Sequence, residues 1–159
     1  MVMPMFVARQ WVRHRTASIN EESLRYIEAR DVFYIPATSR ICKPSTSSKQ
    51  GSSEEAVDRP ITCQDLIRQA TNGAYSVYKD LLDEGLAPEL ARIVLPLNTY
   101  TAWMWKCDLH NIMHLLSLRR HPHAQWEIRQ YAEAVHTLLC GLWPTLMEDI
   151  ENATNERTN

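Results

Sequence analysis

Apolar and polar positions along the chain change their spacing several times, and each change predicts an element. Met5 to His14 reads as a helix, with Pro4 suited to its first turn. Val32-Phe33-Tyr34-Ile35 is a short apolar run closed by Pro36 and predicts a strand. Residues 37–60, rich in Ser and poor in apolar side chains, read as a surface loop. From Gln64 to Glu84, Leu66, Ala70, Ala74, Val77 and Leu81 recur every three or four residues, with Ile67, Tyr78 and Leu82 beside them. This is the period of an amphipathic helix, and Gly85 stops it. Pro88 opens a second, short helix that Pro96 ends. Asn98 to Lys106, rich in Thr, Tyr and Trp, predicts a strand. Leu109 to Arg119 is a helix with Leu109, Ile112, Met113 and Leu116 on its apolar face, Leu115 beside them. Ala124 to Leu142 is the last long helix, its stripe of Ala124, Ile128, Tyr131, Val135, Leu138 and Leu142 read as core or subunit interface. From Glu148 onward the sequence is polar and is expected to fray.

One stretch fits no such pattern. Arg13 to Tyr26 holds three arginines, a histidine, two serines, an asparagine and two glutamates, with only Ile19, Leu24 and Tyr26 able to add much to a core. A surface helix carries charge on one face and an apolar stripe on the other; no stripe exists here. An anionic ligand is one reason for such a run to be ordered, because arginine presents a planar fork of donors to phosphate or carboxylate, completed by serine and backbone N–H groups. Gln10, Arg13 and His14 share one face of a helix reaching His14, whereas Arg15 points elsewhere, so the polar loop is expected to begin there.

Composition narrows the alternatives. With 45% hydrophobic and 23% charged residues in 159, the chain has the make-up of a soluble globular domain. A net charge of −2 gives no general attraction to nucleic acid or to an anionic membrane, and no apolar run approaches the ~20 residues of a membrane span. Cys42, Cys63, Cys107 and Cys140 form no C-x-x-C pair and read as reduced thiols of a cytoplasmic protein. None lies in a cationic stretch that would activate it as a nucleophile. His110 and His114 have a metal-compatible spacing, but no glutamate follows in the H-E-x-x-H manner and no third ligand is fixed, so no metal site is expected. No histidine is placed to activate Ser23, which suits a hydrogen-bond donor to phosphate better.

The pattern R-H-R-x-x-S-x-N-x-x-S-x-R-Y over Arg13–Tyr26 resembles the signature of the flavin-dependent thymidylate synthases, and every fixed position is met. Phe6-Val7-Ala8-Arg9-Gln10-Trp11, Ala91-Arg92-Ile93-Val94-Leu95-Pro96-Leu97-Asn98, and Leu118-Arg119 through His123-Ala124-Gln125-Trp126-Glu127-Ile128 resemble the same family, in the same order. The resemblance covers roughly residues 4–143, apart from a divergent segment near 37–63. It implies an α+β fold, mostly helical with a small antiparallel sheet, in a single domain over residues 1–147 followed by a polar tail at 148–159. It implies reductive methylation of dUMP to dTMP, with methylenetetrahydrofolate as carbon donor, NADPH as reductant and FAD as hydride carrier. Gln10, Trp11, Val12 and Arg13, and Glu21, Glu22, Ser23, Leu24 and Arg25, match dUMP-binding positions, with Ser23, the Leu24 backbone and Arg25 on the phosphate. Arg92 matches a second dUMP contact, from a neighbouring subunit of a homotetramer. Arg13, His14, Arg15 and Glu21 match FAD contacts, and Asp108, Leu109, His110 and His114 lie where the family has a further FAD-binding stretch. Arg119 matches the arginine that activates the pyrimidine at N3.

Relatives in this family carry a substantial segment ahead of the first helix, with strands of the central sheet and part of the FAD site. The expectation is therefore an N-terminally truncated member, through a mis-assigned start, a split gene or a real truncation, with exposed sheet edges. A non-catalytic nucleotide- or flavin-binding remnant is the alternative. A small helical nucleic-acid binder using Arg9, Arg13, Arg15 and Arg25 is opposed by the net charge and by the lack of a lysine-rich face.

Overall fold

The computed structural model describes residues 1–46 and 51–158, the side chains beyond residue 153 excepted. The fold is α+β, mostly helical with small antiparallel sheets, as the resemblance implies. Two compact units divide it, Met1–Asp108 and Leu109–Asn159.

The first unit is built on a three-stranded antiparallel sheet of β1 (Val2–Pro4), β5 (Tyr100–Lys106) and β2 (Ser18–Glu21), with β5 in the middle. β5 forms because its side chains alternate, with Thr101 and Trp103 buried and Met104 exposed. β1 and β2 are short, and every residue of β2 is exposed, so neither carries a strand pattern of its own. Pairing with β5 extends them, Met3 facing Thr101 on one side and Glu21 facing Trp103 on the other. α1 (Met5–Trp11) follows β1 directly. Its first N–H groups, which have no partner inside a helix, are met by backbone carbonyls: Met5 donates to Thr99 at 2.9 Å and Phe6 to Leu97 at 3.0 Å. The helix stops at Trp11, before the expected His14; Arg13 and His14 continue in tight turns, donating their N–H groups to Gln10 and Trp11 carbonyls.

α2 (Pro60–Asp83) is the long amphipathic helix, and the chain turns after it at Gly85, whose φ of +83° suits glycine. Its buried face is rotated from the predicted one. Thr71 and Tyr78 are buried, while Leu66 and Val77 of the predicted stripe are exposed. The reason lies in what α2 packs against: Leu24, Ala29, Tyr78 and Ala91 form one buried cluster, with Met5, Tyr75, Leu81, Leu82, Leu86, Val94 and Leu95 around it. Two tyrosine hydroxyls serve that cluster. The Ala29 N–H donates to the Tyr78 hydroxyl at 3.0 Å, and the Tyr75 hydroxyl donates to the Ala29 carbonyl at 3.2 Å. Polar-tipped aromatics are selected over Leu at these positions, since a buried peptide needs partners on both sides.

Three further expectations are corrected. The run Val32–Ile35 forms no strand; only an isolated bridge joins Phe33 to Thr99, and the Asn98 side chain caps the Tyr34 carbonyl at 2.9 Å. The Ser-rich loop at 37–60 contains a hairpin of β3 (Cys42–Pro44) and β4 (Ser52–Ala56), closed by the Lys43–Glu55 ion pair; Ser47 to Gln50 lie outside the described residues. α3 (Pro88–Ala91) is a single turn continued as a 3-10 turn over Arg92–Val94.

The second unit stacks three helices, α4 (Leu109–Arg119), α5 (Trp126–Leu142) and α6 (Pro144–Thr158). Leu115, Leu116, Ile128, Ala132, Leu139 and Met147 are buried. The residues from Glu148 to Thr158 are helical rather than frayed, and Glu151 on α6 meets His136 Nε2 on α5 at 2.7 Å. The α5 stripe is only half used within the chain: Leu138 and Leu142 are 66% and 67% exposed.

The tyrosine pair generates two predictions. Tyr78→Phe leaves the buried Ala29 N–H without an acceptor and should lower the unfolding free energy by about 1–3 kcal/mol in a urea titration. Burial, helped by Asp31 and Glu28, raises the Tyr75 phenol above its ordinary value of 10.0. A raised folded-state pKa stabilises below the unfolded value and is lost as pH rises through the folded one. The stability difference between the wild-type chain and Tyr75→Phe should therefore be constant below about pH 10 and shrink above it.

Candidate functional site

The Arg13–Tyr26 stretch is the feature that the first unit displays. Its middle is fixed by β2, which hydrogen-bonds along β5, and the Glu22 N–H extends that pairing to the Ala102 carbonyl at 2.9 Å. Its front end is tied down where the Cys107 thiol donates to the Thr16 carbonyl at 3.2 Å. Burial raises the Cys107 pKa, and Asp108 raises it further, so this thiol stays protonated and serves as a structural donor. The far end is anchored by Leu24, buried in the α2 core, and by Ala29 between its two tyrosines.

Between these anchors the polar side chains remain outside. Arg13, Arg15, Glu21 and Arg25 are exposed; Gln10, His14, Glu22 and Ser23 are half-buried. Ser23 nucleates a turn, its hydroxyl accepting from the Arg25 N–H at 3.4 Å and its carbonyl from the Tyr26 N–H at 3.0 Å. That use of the oxygen leaves the Ser23 O–H as a donor. The Arg25 guanidinium lies 5.3 Å from the Tyr26 ring centre, and its Nε is 3.7 Å from a Glu89 carboxylate oxygen. Arg92 Nε donates to the Glu89 carbonyl at 3.3 Å. Two arginines far apart in sequence, Arg25 and Arg92, thus gather at Glu89 within one chain. Glu22 accepts from Arg30 at 2.7 Å and Glu21 from the buried Thr101 hydroxyl at 2.6 Å.

The other expected positions behave differently. Trp11, inside the motif, is fully buried and packs edge-on against Trp105 at 5.6 Å, so it supports rather than displays the site. Its indole N–H is buried without an acceptor among the described residues, as are those of Trp103 and Trp105. Val12 caps α1 and is exposed. Leu24 offers a ligand only its backbone, because its side chain is core. Asp108 closes the first unit, whereas Leu109, His110, His114 and Arg119 lie on α4 of the second. His110 and His114 are exposed there. Arg119 is half-buried in the last turn of α4, and burial draws its pKa below the ordinary value.

Sequence reasoning missed the supports: Thr101, Glu89, Arg30, Tyr75 and Tyr78. The signals were faint. Tyr75 and Tyr78 are three apart on a helix, and Thr99 and Thr101 alternate on the buried face of a strand, where valine would be the simpler choice.

The geometry defines an arginine-rich segment carried on the edge strand of a small antiparallel sheet. Residues 1–145 match the family model described as thymidylate synthase complementing protein, and the chain belongs to that family, the family of the flavin-dependent thymidylate synthases. It is 46% identical over 149 residues to the flavin-dependent thymidylate synthase of Dictyostelium discoideum, covering 92% of this chain and 48% of that protein. It is 43% identical to that of Treponema denticola over 159 residues, covering 99% of this chain and 60% of the relative. The chain thus spans about half the length of the curated relatives it matches. Among solved structures, the UMP/dUMP methylase PolB from Streptomyces cacaoi bound with 5-Br dUMP superposes with a TM-score of 0.82 at 36% identity, over 92% of this chain and 66% of that one. The same protein bound with 5-Br UMP gives a TM-score of 0.84 at 35% identity, over 92% and 69%.

Neighbouring residues in the site should separate cleanly. Leu24→Ala removes a core anchor and should cost about 2–5 kcal/mol of stability. Arg25→Ala removes an exposed ion pair and an exposed cation–π contact and should cost about 1 kcal/mol. Thermal denaturation of the two variants checks both.

Proposed function

We propose that this chain carries the nucleotide-handling part of a flavin-dependent thymidylate synthase, which converts dUMP to dTMP with methylenetetrahydrofolate as carbon donor and NADPH as reductant. The observation that carries this reading is the Arg13–Arg25 segment itself: anchored at both ends by the chain's own core, it holds its donors outward in a fold whose solved neighbour binds a dUMP analogue.

In this reading Gln10 to Arg13 and Glu21 to Arg25 bind dUMP. The Ser23 O–H, the Leu24 backbone and the Arg25 fork meet the phosphate, and Arg92 of a neighbouring subunit contributes a second positive charge. The Glu89 carboxylate meets Arg25 before the anion arrives, and the Glu89 main-chain carbonyl accepts from Arg92. An anionic dinucleotide rich in acceptors fits the donor set of Arg13, His14 and Arg15. FAD, held by Arg13, His14, Arg15 and Glu21 and by the Asp108, Leu109, His110 and His114 stretch, would supply hydride to the transferred carbon. Arg119 is assigned to the pyrimidine. An adjacent cation lowers the pKa of the ring N3–H by ~1–3 units, and the deprotonated ring is richer in electrons at the carbon that is alkylated. The protein needs no nucleophile of its own for this chemistry.

The half-exposed stripe of α5 supports a homotetramer with sites shared between subunits, since exposed leucines such as Leu138 and Leu142 gain by burial against another copy. The four free thiols suit the reducing cytoplasm. Among the described residues, no helix is long and apolar enough to cross a membrane.

The test is a flavin spectrum of the purified protein followed by dUMP-dependent oxidation of the bound flavin. A flavin-loaded protein whose oxidation ignores dUMP would mark a remnant without synthase activity. In active enzyme, Arg119→Ala should lower turnover by roughly 10²–10³ while flavin stays bound, and Arg119→Lys should restore only part. Arg25→Ala should instead weaken dUMP binding by about 1.5–3 kcal/mol. Near-normal turnover of Arg119→Ala at saturating dUMP would refute the assignment. Light scattering should show the flavin-loaded protein as a tetramer, and a stable flavin-loaded monomer would contradict the shared sites.

A further inference from the structure

We infer that Thr101 is a positioning residue for the proposed ligand site, acting through the Glu21 carboxylate. This rests on the reading that Glu21 faces bound nucleotide or flavin. Thr101 is 3% exposed in the middle of β5, where Met3 of β1 faces it. Its neighbour on the same face, Trp103, faces Glu21 of β2, so Glu21 and Thr101 are diagonal neighbours on one side of the sheet. Their contact joins residues 80 apart in sequence: the Thr101 hydroxyl donates to Glu21 Oε1 at 2.6 Å. That distance marks a short, direct hydrogen bond from the hydroxyl to the carboxylate oxygen.

A hydroxyl at this position calls for an explanation. Valine has nearly the same shape, suits a strand as well and needs no partner. Of the other buried threonines, Thr99 donates to the Pro96 carbonyl at 2.7 Å, and Thr71 donates to the Ile67 carbonyl at 2.8 Å and accepts from the Asn98 side-chain amide at 2.9 Å. Thr101 alone among them reaches across the sheet to a charged, solvent-exposed side chain in the arginine-rich segment. An exposed glutamate on a strand otherwise samples several rotamers. With Oε1 engaged, the carboxylate is held to one orientation and Oε2 remains as the acceptor for an N–H or O–H of a ligand. Orienting one acceptor before binding removes an entropy cost that the ligand would otherwise bear.

The experiment compares Thr101→Val and Thr101→Ser with the wild-type protein, measuring FAD affinity by flavin fluorescence, dUMP affinity by calorimetry, and melting temperature. Val keeps the shape and loses the hydroxyl; Ser keeps the hydroxyl and loses a methyl group. A positioning role predicts that Thr101→Val weakens ligand binding roughly tenfold, the effect of one hydrogen bond to a charged group. It also predicts a melting temperature close to wild type for Thr101→Val, and near-normal binding for Thr101→Ser despite its poorer packing. In a Glu21→Ala background, which removes the acceptor, the effect of Thr101→Val should largely vanish, since the two residues act as one unit. A purely structural Thr101 predicts the reverse order, Ser worse than Val in both stability and binding, and that result overturns the inference. Wild-type protein that binds both ligands while Thr101→Val binds them equally well overturns this role alone. Wild-type protein that binds neither overturns the reading of the site and this role with it.

Discussion

A single buried residue governs how the polar segment is held. Ala29 gives its N–H to Tyr78 and takes the Tyr75 O–H on its carbonyl, and its side chain lies in the cluster that Leu24 enters. Four residues separate Leu24 from Ala29, and both are core, so the turn from Ser23 to Arg25 has little freedom left. On the other side, β2 is fastened along β5. The arginines that face outward do so because the backbone beneath them is fixed by apolar burial and by neutral hydrogen bonds rather than by their own ion pairs. An exposed ion pair such as Arg25–Glu89 contributes about 1 kcal/mol at most, whereas burial of Leu24 alone is worth about 1.5–3 kcal/mol.

This division of labour explains the odd composition of Arg13–Tyr26. A segment that folded by its own stripe would have to turn charged side chains away from a ligand as often as toward it. Here one leucine and one alanine secure the stretch, and nearly every other position is free to carry a donor or an acceptor. Carboxylates are handled in the same way, Glu21 by Thr101 and Glu22 by Arg30. The Glu89 carboxylate pairs with Arg25, and its main-chain carbonyl with Arg92.

Much of this was legible in the sequence because it rests on local pattern. The helices α2, α4 and α5 follow from period and punctuation, and the chemistry of the polar stretch follows from its residue types. What stayed hidden depends on partners far along the chain. β1 and β2 are strands only because β5 pairs with them, and nothing within Ser18–Glu21 alternates. The apolar run Val32–Ile35 looks more like a strand than either, yet it gains only one bridge, to Thr99. The buried face of α2 was misjudged because tyrosines with a peptide to serve outranked Leu66 and Val77. Expecting a frayed tail from Glu148 overlooked α6, which Met147 and the Glu151–His136 contact dock on α5. Family membership was legible because it rests on spaced residue identities, which survive whatever the pairing partners do.

The central claim is that the chain's own core, rather than the ligand, holds the nucleotide segment in place. Amide hydrogen exchange tests it most directly. In ligand-free protein the Ala29 amide should exchange nearly as slowly as the buried core of α2, while the amides of Arg15 to Ala17 exchange fast; adding dUMP should slow the Ser23 to Arg25 amides but change Ala29 little. Fast exchange at Ala29 in the free protein, with strong protection only after dUMP is added, would mean that the ligand orders the segment, and would contradict the account.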